Sequence, residues 1–256
     1  MTILQTALFL LCVALATAAQ NLSGFAFALI LLGLAGVLEL APLADLANVA
    51  TVLALANAVV ALRRSGRTLD KPAFRDIALG SVPGILAGVV LLGWLGTNVT
   101  LVLRLLLGIT VVVCAAVVLR QTAALQQRSS RGSFALWGVL SGLLTGLFAT
   151  GGPPLVYQLY RQPMGLKTIR DTLVAALAVS ALMRLALVLV SGQFSGNALR
   201  LCLLAAPLVF SLTWWLERHP PGWSRQAVLK LVCLLLLLTG TGLIVPATLQ
   251  LTTTGL

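Results

Sequence analysis

Long apolar runs leave this chain few choices of fold. They cover residues 3–39, 43–62, 76–95, 99–119, 133–160, 170–191, 197–216 and 228–246, with short polar connections between them. A helix that crosses the bilayer core needs about 20 mostly apolar residues. Six runs have that length and two are too long. As one helix, 3–39 would reach roughly 55 Å and 133–160 roughly 42 Å, against a core of about 30 Å. Composition points the same way. Of the 256 residues, 59% are hydrophobic and 9% charged, with a mean hydropathy of +1.06. A soluble domain carries about 25% charged residues. So little polar surface cannot cover a soluble globule, which excludes a cytosolic enzyme, a nucleic-acid-binding domain or a disordered regulator.

Both overlong runs contain helix-disrupting chemistry near their centres. In the first it is Gln20-Asn21-Leu22-Ser23-Gly24. In the second it is Thr145-Gly146, then Thr150-Gly151-Gly152-Pro153-Pro154. Two prolines remove two backbone donors, and the glycines free φ. Such breaks survive at membrane depth only where protein or a water-filled cavity satisfies the freed backbone groups. Each overlong run is therefore expected to be a broken hairpin. The segment Ala16-Thr17-Ala18-Ala19 looks like a cleavage site, but no Lys or Arg precedes it and the apolar run continues, so the start is read as a span.

The net charge of +11 is concentrated in four basic groups. They are Arg63, Arg64, Arg67, Lys71 and Arg75; Arg120, Arg128 and Arg131; Arg161, Lys167 and Arg170; and Arg218, Arg225 and Lys230. By the positive-inside rule these segments are cytoplasmic. The connections at 40–45, 96–98 and 192–196 carry no Lys or Arg and are assigned to the outside. Run 133–160 then starts and ends inside, and run 3–39 starts and ends outside, so both termini are expected outside a bacterial inner (cell) membrane. Trp94 at an outer end, and Trp137, Tyr157, Tyr160, Trp214, Trp215 and Trp223 at inner ends, suit interfacial anchoring.

The expected fold class is thus an all-α polytopic membrane protein made of two inverted-topology repeats, 1–130 and 131–256. Each repeat is a broken membrane hairpin followed by three transmembrane helices, a plan common among secondary transporters. Internal matches support the division. Ser23-Gly24-Phe25-Ala26 parallels Thr145-Gly146-Leu147-Phe148. Asp45 and Asp171 each open the span after a hairpin, and Gly66 and Gly192 follow at equal separation. Pro83 and Pro207 enter early in the next span.

Three stretches resemble the TauE/SafE family of membrane transporters, which includes sulfite exporters and organosulfonate permeases. They are Gly80-Ser-Val-Pro-Gly-Ile-Leu-Ala-Gly88 with Leu103-Arg-Leu-Leu-Leu-Gly108, Gly142-Leu-Leu-Thr-Gly-Leu-Phe-Ala-Thr-Gly-Gly-Pro-Pro154, and Arg170-Asp-Thr172 leading through Arg184 to Ser191-Gly192. The resemblance implies transport of sulfite, an organosulfonate or a related sulfur oxyanion. Where family members have a glycine-rich first hairpin, this chain has Phe25-Ala26-Phe27-Ala28, so its first half-site is expected to be narrower and more apolar.

Opposed hairpins bring helix N-termini together, and each carries roughly half a positive charge that favours anions. The expected substrate contacts are Gln20, Asn21, Ser23, Gly24, Thr145, Gly146, Thr150, Gly151, Gly152, Pro153 and Arg184. Pro153 suits a first helical turn, where no donor is needed. Arg184 lies within a span, where a guanidinium either faces a cavity or snorkels to the headgroups. Asp171 and Asp45 read as helix caps. Asp171, Arg170 and Arg104 are candidates for gating. The four cysteines, Cys12, Cys114, Cys202 and Cys233, have no C-x-x-C spacing and read as thiols buried in spans. The lone His219 and the absence of carboxylates from mid-span argue against a metal site, a cofactor and an enzyme. Expected partners are a small anion and the lipid bilayer, with no nucleic acid; self-association is left open. The alternatives are an anion channel-like pore and a membrane-embedded enzyme or assembly factor.

Overall fold

A computed structural model describes residues 2–23, 25–64, 68–98, 100–119, 125–219, 233–245 and 248. Gly24, Gly66, Arg67, Arg120, Trp223, Arg225 and Lys230 lie outside the described residues, as do the side chains of Ser23, Arg63 and Arg64. The described chain forms α1 (Ile3–Ser23), α2 (Phe27–Val37), α3 (Leu43–Arg64), α4 (Lys71–Asn98), α5 (Thr100–Leu119), α6 (Arg131–Phe148), α7 (Gly152–Tyr160), α8 (Leu166–Val190), α9 (Gly196–Arg218) and α10 (Cys233–Val245). Four of them contain segments long and apolar enough to cross a membrane: Ile3–Asn21, Lys71–Trp94, Leu166–Val190 and Gly196–Leu216.

Both overlong runs are broken. The second break comes later than Thr145-Gly146 suggests, because α6 runs on through both residues to Phe148. Ala149 ends it in a left-handed conformation (φ 56°), its N–H donating to Thr145 O at 2.8 Å. Pro153 and Pro154 follow in the first turn of α7, where their missing N–H groups cost no helical bond. Glycine by itself did not break α6, because helix packing satisfies it, as follows.

The helix α4 lies along α6, and glycines line the contact on both sides. A Cβ added at Gly80 or Gly84 would strike the carbonyl oxygens of Ala135 or Val139, and one at Gly88 would come within 2.5 Å of Leu143 O. The relation is reciprocal. A Cβ on Gly138 would meet Ile77 O at 2.5 Å, one on Gly142 would strike Ser81 O, and one on Gly146 would meet Ile85 O at 2.6 Å. In lipid no hydrophobic drive pushes helices together, so close backbone approach over small residues supplies dispersion contact instead. The far side of α4 exposes Leu79, Val82, Leu86 and Val90, an apolar stripe suited to lipid.

The short helix α2 is buried from Phe27 to Gly33. It packs on α1, α3 and α5 and touches α10 through Gly33 and Thr239. The helix α9 packs on α1 and α3, and α8 packs on α3 and α4. Two buried aspartates tie these elements together. Asp45, on α3, accepts from Ser195 Oγ (2.7 Å) and Asn197 Nδ2 (2.9 Å) at the start of α9. Asp171, on α8, accepts from Thr68 N (3.2 Å) and Thr68 Oγ1 (2.9 Å), just before α4. The capping expectation is therefore corrected. Each carboxylate secures the entry of another helix, while Ser195 and Asp70 cap α9 and α4. Trp214 and Trp215 are exposed near the end of α9, where the Arg218 guanidinium stacks 3.9 Å from the Trp214 ring.

The glycine contact can be tested by adding one methyl group. Gly142→Ala is expected to lower the apparent melting temperature of the detergent-solubilised protein by about 5 °C or more, because backbone must move. Gly132→Ala, whose Cβ meets nothing within 4 Å, should leave it unchanged. Equal melting curves for the two variants would refute the close approach of α4 to α6.

Candidate functional site

A cavity of about 360 Å³ opens between the two hairpin breaks. Such breaks leave polar backbone and side-chain groups at depth, and here several of them face the same space. The end of α1 contributes Gln20 and Asn21, and the start of α2 contributes Phe27 and Ala28. The second break contributes Thr145, Ala149, Thr150, Gly151 and Gly152. The opposite wall is mostly apolar: Ala54 and Ala58 of α3, and Val174, Leu177, Ala178 and Ala181 of α8. Arg170, exposed near the start of α8, also lines the cavity.

The breaks touch each other. A Cβ on Gly152 would stand 2.7 Å from Phe25 Cβ, and one on Gly151 would strike Thr145 Oγ1 and Ser141 Oγ. Only glycine fits these two positions. The second break is held by side chains. Ser141 Oγ donates to Gly151 O at 2.8 Å, and Thr145 Oγ1 donates to Ser141 O at 2.8 Å. In the first, Asn21 Nδ2 donates to Thr17 O (2.9 Å) and Thr213 Oγ1 (3.3 Å). Two cavity-lining groups are buried without a partner, Thr150 Oγ1 and Asn57 Nδ2. A buried polar atom without a partner costs roughly 1–3 kcal/mol, and among the described residues both of these belong to residues that line the cavity.

Of the expected contacts, Gln20, Asn21, Thr145, Thr150, Gly151 and Gly152 line one cavity together with Arg170. Pro153 is buried in the first turn of α7. Gly146 is not among the lining residues; it is pressed against α4. Arg184 is fully buried, which corrects the snorkelling alternative, and it too is not among the lining residues. Its Nε donates to Gly146 O (3.1 Å), and its Nη1 reaches Ala47 O (3.4 Å), Asn48 Oδ1 (3.1 Å) and Thr51 Oγ1 (2.6 Å). Asp171 is bonded to the segment before α4, and Arg104 pairs with Glu39 at 2.6 Å on an exposed surface.

Sequence reading missed Asn57, Asn48 and Thr51. The available signal was their polarity inside the apolar run 43–62, where uncompensated polar groups are costly. Among the described residues no group of three or more His, Cys, Asp or Glu is arranged to hold a metal ion.

Comparison with known proteins comes to the same region of sequence space. The profile of the family described as "Sulfite exporter TauE/SafE" matches residues 9–243. A Cupriavidus necator protein named "Probable sulfite/organosulfonate exporter TauE" is 33% identical over 228 residues, 89% of each chain. No solved structure matches.

The two kinds of ionic contact should differ in energy. An exposed pair contributes about 0–1 kcal/mol, so Arg104→Ala is expected to leave the melting temperature nearly unchanged. Asp45→Ala strands two donors at the entry of α9 and should lower it by several degrees. Thermal melts that rank the two variants in the opposite order would contradict this assignment.

Proposed function

The chain belongs to the TauE/SafE sulfite exporter family, and on that premise we propose that it is a carrier of a small sulfur oxyanion, sulfite or an organosulfonate, in the bacterial inner membrane. The carrier works by alternating access at two opposed broken hairpins. The observation that carries this reading is the cavity between the breaks. Its polar lining is Gln20, Asn21, Asn57, Thr145 and Thr150, of which Asn57 Nδ2 and Thr150 Oγ1 have no partner among the described residues, and it is lined by the first residues of α2 and α7. Helix N-termini attract anions through unpaired N–H groups and their partial positive charge. Gly151 and Gly152 admit the anion to the backbone. Pro153 opens α7 at the second hairpin turn in this reading, Gly146 sets how closely α6 approaches α4, and Arg170 draws anions to the mouth.

The reading includes two inverted repeats, 1–130 and 131–256. The packing supports it, since pairs of contacts recur in exchanged form. The helix α4 meets α6 and α8, while its counterpart α9 meets α1 and α3. Asp171 secures the entry of α4 as Asp45 secures that of α9. In the same reading the basic connections face the cytoplasm and both termini face outward. An inside-negative potential then expels a monoanion with about 2.3 kcal/mol per 100 mV, so export needs no further coupling. Asp171 and Arg170 flank the cytoplasmic mouth and are its gating candidates, and Arg104 belongs to the outer face.

Purified protein in liposomes is expected to give saturable uptake of sulfite or a short alkanesulfonate, with counterflow; ohmic single-channel currents would sink the carrier mechanism. Thr150→Val removes a single hydroxyl from the cavity and should weaken binding about tenfold, the worth of one hydrogen bond to a charged ligand. Isotherms identical to the parent's would remove Thr150 from the site. A membrane-impermeant maleimide should reach Lys71→Cys from the cytoplasmic side and Gly196→Cys from the opposite side; the reverse pattern would invert the orientation.

A further inference from the structure

The residues lining the cavity on α3 and α8 stop one turn short of a single buried arginine. The cavity's two walls are stripes on facing helices. On α3 the stripe is Ala58 and Ala54, and on α8 it is Val174, Leu177 and Ala181. Both stripes continue along the same helical faces, at spacings of three and four residues, beyond the last lining residues. On α3 the next residues are Thr51 and Ala47. On α8 the next is Arg184. One turn beyond Ala54 and Ala181, the last lining residues on these faces, the Arg184 guanidinium crosses from α8 to Thr51 Oγ1, Asn48 Oδ1 and Ala47 O, while its Nε holds Gly146 O of α6. Further along, α3 is tied to the segment that leads into α9. Asn48 Nδ2 donates to Gln193 O at 2.9 Å, and Asp45 binds Ser195 and Asn197.

At the open end Asp171 binds Thr68 much as Asp45 binds Ser195, but the positions that match the arginine and its partners on α3 are apolar. The shift that carries Asp45 onto Asp171, and Gly66 onto Gly192, carries Arg184 onto Ala58, Thr51 onto Leu177 and Asn48 onto Val174. Ala58, Val174 and Leu177 all line the cavity. The same positions therefore hold a bonded polar plug at one end and small or aliphatic side chains beside open space at the other.

We propose that Arg184 is the positioning residue that seals the substrate path on the side away from the cavity mouth, with Asn48 and Thr51 as its latch on α3. The proposal rests on the carrier reading above. Among the described residues no carboxylate is paired with the guanidinium; its partners there are neutral oxygens, and its Nη2 has none. A latch of neutral acceptors holds a buried charge less firmly than an ion pair does, so it can part when α8 moves from α3.

Side-specific labelling tests this without substrate. Ala178→Cys is introduced with the four native cysteines replaced by serine, and oriented proteoliposomes are treated with a membrane-impermeant maleimide from each side. The parent should label from one side only. Adding Arg184→Gln, or the double change Asn48→Leu and Thr51→Val that leaves the arginine in place, should raise labelling from the other side at least tenfold while labelling at the mouth persists. Opposite-side labelling at the parent level in the variants that fold would overturn the proposal, and so would a parent labelled equally from both sides. If Arg184→Gln does not fold, the double variant decides. A parent labelled only from the outer side would reverse the orientation and leave the seal to be judged from the inner side. A parent that labels as expected but moves no sulfur anion would end the transport reading alone.

Discussion

Backbone that leaves a helix at membrane depth has to find its hydrogen bonds within the protein, and the architecture follows from meeting that demand twice. At the second break the solution is visible atom by atom. Ala149 turns left-handed and its N–H reaches Thr145 O. Ser141 donates to Gly151 O, and Thr145 donates to Ser141 O. Two prolines then open α7 where their missing donors do no harm. The turn is compact because Gly151 and Gly152 leave no side chain between it and Ser141, Thr145 or Phe25. Two of the buried groups left without a partner among the described residues, Thr150 Oγ1 and Asn57 Nδ2, belong to residues that line the cavity.

Holding such a turn still requires a rigid support, and α4 provides it for α6. Glycines at a spacing of four residues on both helices let each backbone rest on the other. No bulky side chain intervenes, so dispersion over a long contact does what hydrophobic burial does in water. Arg184 adds a second support from α8, reaching Gly146 O from one side of its guanidinium and α3 from the other. A buried guanidinium with only neutral acceptors is costly, by several kcal/mol for an ion out of water. Its retention here is consistent with a part in movement, since packing alone is served better by apolar residues.

Much of this was legible from residue order. Run length against bilayer thickness identified the two elements that had to be broken, and polar and glycine residues marked roughly where. Gln20, Asn21, Thr145, Thr150, Gly151 and Gly152 could be named because polar groups in an apolar run need a reason. The limits of that reasoning are equally specific. Gly146 looked like a break and is a packing site, because α4 is present to receive it. Arg184 looked like a substrate contact or a snorkelling anchor; it is buried, which leaves out snorkelling, and it bridges α8, α6 and α3. Asp45 and Asp171 looked like caps of their own helices, and they secure the entries of others.

These differences share one cause. Hydropathy, span length and the chemistry of breaks are properties of consecutive residues, so the sequence by itself determined an all-helical membrane protein with two interrupted segments and a set of polar groups at depth. Which groups meet depends on contacts between residues far apart in the chain. Arg184 to Thr51, Gly142 to Ser81, and Asp45 to Ser195 have no local signature. Only the tertiary structure decided that Arg184 is bonded to α3 and α6 while Ala58, Val174 and Leu177 line the cavity, because such contacts are set by how helices from opposite halves of the chain pack against one another.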